Sequence, residues 1–151
     1  MNLTIVPFTE AYLDDIVNIE NASFTDPWSR EALDSSSKMP LTEIYLATDE
    51  GGVLCGYVVF ICISPECEIL NIAVSPEHRR KGVANALVSF VCERSREKNC
   101  DTLMLEVRES NISARALYEK HGFEVVGRRK AYYRTPTEDA ILMDKKSDKN
   151  L

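Results

Sequence analysis

At 151 residues, with 44% hydrophobic and 28% charged side chains, the chain has the composition of one soluble globular domain, far from disordered or membrane-spanning profiles. A formal charge of −6 leaves no broad basic face for sequence-independent nucleic-acid binding. Five cysteines (Cys55, Cys62, Cys67, Cys92, Cys100) in no CxxC arrangement, beside only two histidines, read as reduced thiols rather than a disulfide framework, and no metal site is expected. The start carries no basic stretch leading into a long apolar run, and no segment reaches spanning length, so a cytoplasmic location with no membrane partner is expected.

The first expected element is a short strand from Leu3 to Phe8. Residues 9 to 24 follow as a helix with Tyr12, Leu13, Ile16 and Ile19 at helical spacing. Asp26 then reads as an N-cap and Pro27 as the first position of a second short helix ending near Ser35. Glu43 to Thr48 and Val53 to Ile63 read as strands joined by the turn Asp49-Glu50-Gly51-Gly52. The run Tyr57-Val58-Val59-Phe60-Ile61 is apolar on both faces, which suits a central strand. Glu68 to Val74 is a further strand with Glu68, Leu70, Ile72 and Val74 on one face. The strongest helix covers 83 to 98, and Thr102 to Arg108 is a strand. Ser110-Asn111 caps a helix that stops at Gly122. Phe123 to Tyr133 and Asp139 to Met143 close the sheet. Residues 1–144 form one α/β domain with mixed strand directions, and 145–151 a polar tail expected to fray.

The most informative stretch is Ile72-Ala73-Val74-Ser75-Pro76-Glu77-His78-Arg79-Arg80-Lys81-Gly82-Val83-Ala84. A buried strand, a basic glycine-containing turn and a helix start succeed one another there. Free backbone N–H groups, the positive end of the helix dipole and three cationic side chains converge on one spot, which suits a pyrophosphate. It is no nucleotide P-loop, because Lys81 precedes Gly82 and no GxGxxG exists.

Arg79, Gly82 and Ala84 carry the R-x-x-G-x-A signature, which resembles that of the GCN5-related N-acetyltransferases. The blocks Leu105-Glu106-Val107-Arg108-Glu109-Ser110-Asn111, Ala116-Leu117-Tyr118 through Gly122-Phe123, Arg129-Lys130-Ala131-Tyr132-Tyr133 and Phe24-Thr25-Asp26-Pro27-Trp28-Ser29 extend the likeness across residues 3 to 143. They resemble in particular the bacterial members that acetylate the N-terminal alanine of a ribosomal protein. Ala84 departs from the commoner glycine, and Lys81 adds a charge to the turn.

The resemblance implies a mixed sheet of about six to seven strands with about four helices. Acetyl-CoA would be the cosubstrate, with no metal. Backbone groups of Ile72, Ala73 and Val74 would meet the pantetheine arm, and a Val74 amide would face the acetyl oxygen. Arg79 and the stretch Arg80, Lys81, Gly82, Val83, Ala84 and Asn85 would hold the diphosphate, and Asn111 the pantetheine. Glu106 would be the general base and Tyr118 the general acid. The rival base is Glu68, on the strand where lysine-modifying relatives keep theirs. Trp28, Tyr132 and Tyr133 are candidates for the acceptor groove.

The chemistry is physically reasonable at these positions. Asn111 and Tyr118, seven apart on one helix, share a face about two turns, or roughly 10 Å, apart. A phenol can protonate a departing thiolate, although from reference values the transfer is uphill by about 2 kcal/mol. Glu106 lies between Leu105 and Val107 in a strand, where a carboxylate needs a task or a partner, and Arg108 on the same strand face is the structural alternative. An α-amine near 7.8 is about a tenth neutral at pH 7, against a few parts in ten thousand for lysine, which favours a protein N-terminus as acceptor.

The expected partner is therefore a protein or peptide N-terminus, such as that of a ribosomal protein, acted on by a monomer or weak dimer with no direct nucleic-acid contact. The alternatives are acetylation of a lysine or small amine, and a non-catalytic acyl-CoA sensor.

Overall fold

The computed structural model describes residues 2–147. Its strands are β1 (Thr4–Pro7), β2 (Thr42–Thr48), β3 (Leu54–Ile63), β4 (Glu66–Val74), β5 (Thr102–Arg108), β6 (Glu124–Tyr133) and β7 (Glu138–Lys146). The helices are α1 (Leu13–Ser23), α2 (Arg30–Ser37), α3 (Val83–Glu97) and α4 (Ile112–Lys120), with single 3-10 turns at Glu10–Tyr12 and Pro76–His78. One seven-stranded sheet runs in the order β1-β2-β3-β4-β5-β7-β6. Only β4 and β5 pair in parallel, so the sheet is mixed, as expected. Among the described residues no helix is long and apolar enough to cross a membrane.

The apolar run of β3 occupies the sheet's centre because it serves two cores at once. Val58 and Phe60 join Val83, Leu87, Val88 and Val91 of α3 on one face. Tyr57 and Val59 join Leu13, Ile16 and Ile19 of α1 and Leu33 of α2 on the other. Gly56 of β3 fixes how closely α3 approaches: a Cβ there would stand 2.8 Å from the Ala73 carbonyl and 2.9 Å from Val83 Cγ1. The start of α3 is thereby seated against β3 and β4, beside the basic turn.

Two local expectations are corrected. Helix α2 begins at Arg30 with Ser29 as its N-cap, whose Oγ accepts from Ala32 N at 3.0 Å. Asp26 and Pro27 remain in the preceding loop, since the Trp28 N–H is taken by the Glu20 carboxylate and ties that loop back to α1. The tail also starts later than 145, because Lys145 and Lys146 are the last residues of β7, where Lys146 Nζ donates to Thr102 Oγ1 at 3.1 Å. Residues 148–151 lie outside the described residues.

Candidate active site

The parallel pairing of β4 with β5 covers only Glu66–Glu68 against Thr102–Met104, and beyond it the two strands part. A bulge in β4 accompanies the separation: Val59 faces Asn71 and Phe60 faces Ile69, so Leu70 is left without a cross-strand partner. One extra residue inverts the alternation that follows. Ile72 and Val74 consequently join Cys67 and Ile69 on the α3 face, while Ala73 packs on the α1 face. The expected grouping of Glu68 with Leu70, Ile72 and Val74 is therefore wrong; Glu68 shares its face with Asn71 and Ala73.

The gap holds a cleft of about 380 Å³ whose lining includes Glu20, Trp28, Asn71, Ile72, Glu106, Asn111, Tyr118 and Tyr133. Leu103, Leu105 and Val107 of β5 pack in the α3 core, so Glu106 projects from the opposite face. Tyr118 on α4 belongs to the α3 core. Tyr118 and Glu106 thus line the cleft from opposite faces of the sheet.

Tyr118 is 5% exposed and packs against Phe123. Burial first, and Tyr133 second, push its phenol up to about 12. It therefore stays protonated across the ordinary pH range and has a proton to give. Glu106 accepts from Arg129 Nε at 3.0 Å, and its charge holds the neighbouring Tyr132 phenol above its usual value. Its side chain keeps 21% exposure, so a solute can reach it. Arg108, its expected structural partner, instead pairs with Glu138 at 3.1 Å and lies over the Tyr133 ring at 4.5 Å. Burial, and then the Glu106 charge, hold the Glu68 carboxyl above the usual carboxylate range.

The acceptor side contains a group that sequence reasoning missed. Glu20 is 1% exposed and accepts from Trp28 N at 2.8 Å, Asn71 Nδ2 at 2.7 Å and the Tyr57 hydroxyl. One carboxylate thus organises α1, the α1–α2 loop, β3 and β4 around the cleft, with its cost of burial met by donors. The available signal was an acid four residues after Ile16 and next to Ile19, inside the buried stripe of α1. Asn71 was also missed as a cleft residue, and Arg129 as the partner of Glu106, since nothing local marks either role.

At the other end, Gly82 has φ of +83° and caps α3 with no side-chain acceptor, and no acid occupies the first helical turn. Arg80, also left-handed at φ of 62°, helps shape the turn. Arg80 and Lys81 remain exposed. Arg79, expected among the diphosphate ligands, is turned back instead, donating to the Val74 carbonyl and Ser23 Oγ, both at 3.2 Å. Its guanidinium ties the turn to β4 and α1. Val83 and Ala73 have buried side chains and offer only backbone groups. The Asn85 side chain meets His121 Nε2 at 2.9 Å, and Asn111 caps α4 through Ala114 N at 3.3 Å. Of the three proposed acceptor aromatics, Trp28 and Tyr133 line the cleft, whereas Tyr132 is 52% exposed and lies outside its lining, packed edge-on against Tyr133.

A sheet split between parallel strands, with a phenol and a carboxylate on its two faces and a helix start free of a side-chain cap beside it, offers the groups that an acyl transfer would use. The sequence matches the acetyltransferase (GNAT) family over residues 13–123; the chain belongs to that family and is an acetyl-CoA-dependent N-acetyltransferase. It is 33% identical over 128 residues to the ribosomal protein bS18-alanine N-acetyltransferase of Escherichia coli (strain K12), covering 83% of this chain and 85% of that one. A protein of the same name from Haemophilus influenzae is 34% identical over 131 residues, covering 85% and 88%. The crystal structure of the Escherichia coli ribosomal-protein-S18-alanine N-acetyltransferase matches with a TM-score of 0.89 at 30% identity, over 97% of this chain and 94% of that one. The donors at the basic turn fit coenzyme A: uncapped N–H groups and two exposed cations suit a diphosphate, and no carboxylate in the first turn opposes it.

Proposed function

We propose that this chain acetylates the N-terminal alanine of ribosomal protein bS18. The observation that carries the reading is the cleft through the sheet, lined by Tyr118 from the α4 side and by Glu106 from the α1–α2 side. The relatives named for that reaction supply the substrate.

Acetyl-CoA brings an acetyl group already activated as a thioester. The N–H groups of Val83, Ala84 and Asn85 at the start of α3 bind its diphosphate together with Arg80 and Lys81. Beyond Glu68, the edge of β4 that has left β5 offers the backbone of Ile72, Ala73 and Val74 to the pantetheine arm and the acetyl oxygen, and Asn111 orients the arm. On the opposite face Trp28 and Tyr133 flank the acceptor chain, and Glu106 takes the proton from its ammonium. Arg129 occupies that carboxylate in the free enzyme and yields to the incoming cation. Tyr118 delivers its proton to the departing sulfur. Full transfer from a phenol near 12 to a thiolate near 8.5 is uphill by roughly 5 kcal/mol, so the proton moves as the carbon–sulfur bond breaks.

The raised carboxyl of Glu68 supports a second reading, in which Glu68 is the base and a lysine or small amine the acceptor. One assay separates the two. An alanine-starting basic peptide should release thiol from acetyl-CoA, and a version blocked at its terminus but containing lysine should not. Equal turnover of both peptides would reject the N-terminal reading.

A further inference from the structure

Away from the cleft, the paired end of the sheet brings together two cysteines with no part in acetyl transfer. Cys62, near the end of β3, and Cys67, near the start of β4, are direct partners in the antiparallel register. Their sulfurs stand 2.8 Å apart, about 0.8 Å beyond a disulfide bond of about 2.04 Å. Residues facing each other on antiparallel strands have Cα separations of about 4.5–5.5 Å, inside the range of about 4.4–6.8 Å that disulfides span. Bond formation therefore asks the sulfurs to move and leaves the backbone where it is.

The two thiols are unequal in ways that set an order of events. Cys67 is fully buried and Cys62 only partly so, which leaves Cys62 as the sulfur an external reagent meets first. The hydrogen bond between the two sulfurs holds the Cys62 thiol below its usual value, and the same bond with burial holds Cys67 above its own. A depressed, accessible thiol beside a second sulfur is the arrangement of an attacking and a resolving cysteine.

We infer that Cys62 and Cys67 form a dithiol modification site, closed reversibly to a disulfide by a low-molecular-weight disulfide such as oxidised glutathione. The Cys62 thiolate attacks one sulfur of the oxidant, whose S–S bond breaks and releases a first small thiolate. Cys67 then gives up its proton and attacks Cys62 Sγ, expelling the second small thiol. The two cysteines lose two electrons and two protons, and the oxidant is reduced to two thiols. The bond joins β3 to β4 one residue before Glu68, within the stretch where β4 still pairs with β5. In a reducing cytosol the site rests as free thiols and closes only when the disulfide pool rises.

The test equilibrates native wild-type protein with glutathione mixtures of rising oxidised share, blocks remaining thiols by alkylation, and maps the linked peptides by mass spectrometry. Protection of Cys62 and Cys67 together, with a Cys62–Cys67 linked peptide that reduced glutathione reopens, is the expected result. Cys62→Ser should abolish that peptide and Cys55→Ser should leave it in full. Thiols that stay alkylatable, a glutathione adduct that persists on Cys62, or a link to Cys100, whose sulfhydryl also reaches Cys62, would each overturn the assignment.

Discussion

The basic turn and the cleft, the two walls of the proposed site, obey opposite rules. The proposed coenzyme wall is centred on the consecutive residues Val74 to Asn85, outside the lining of the cleft, and offers backbone N–H groups, a helix dipole and exposed cations. The proposed acceptor wall draws on α1, β4, β5 and β6 and presents side chains, chiefly carboxylates held by distant donors: Glu20 by Trp28, Asn71 and Tyr57, and Glu106 by Arg129. A site for an invariant ligand can be local and backbone-made, whereas a site that selects its acceptor is assembled from across the fold.

The largest effects should fall where chemistry crosses between the walls. Glu106→Gln should lower kcat/KM for the alanine-starting peptide by about 10²–10⁴, while Glu68→Gln should cost less than about tenfold. Steady-state kinetics on both variants checks the pair, and the reverse ranking would move the base to Glu68. Tyr118→Phe should lower kcat by about 10² with the KM for acetyl-CoA little changed. Because burial raises Tyr118 to about 12, wild-type kcat should also show no fall near pH 10, where a free tyrosine ionises. A limb at about 10 in the pH profile would mean a solvated phenol.

A smaller effect separates the acceptor wall's architecture from its chemistry. Glu20→Ala strips the buried partners of their acceptor, and each donor left unpaired costs roughly 1–3 kcal/mol. Denaturant unfolding should show a loss of that order, with the affinity for coenzyme A nearly unchanged because the turn at Gly82 lies elsewhere.

The same contrast explains what could be read in the sequence. The strand order of apolar runs, the helix from Val83, the Asn111 cap and the basic turn were all legible, because each is a local pattern with a local cause. The bulge at Leu70 was not, since an extra residue leaves no mark in an apolar run, and it put Glu68 on the wrong face. Arg79 was legible as a cation but not in its direction, which Ser23, 56 residues earlier, decides. Glu20 and Arg129 act only through partners brought close by folding. Ser29 displaced Asp26 as the α2 cap because the buried Glu20 had already claimed Trp28.

The most direct test of the two-walled account is calorimetric titration of coenzyme A into two double variants. Arg80→Glu with Lys81→Glu reverses the turn, and Glu106→Gln with Arg129→Gln removes the facing ion pair while conserving net charge. The account predicts that the first loses about tenfold or more in affinity and the second stays within about twofold of wild type. Weakened binding in the second variant with none in the first would contradict it.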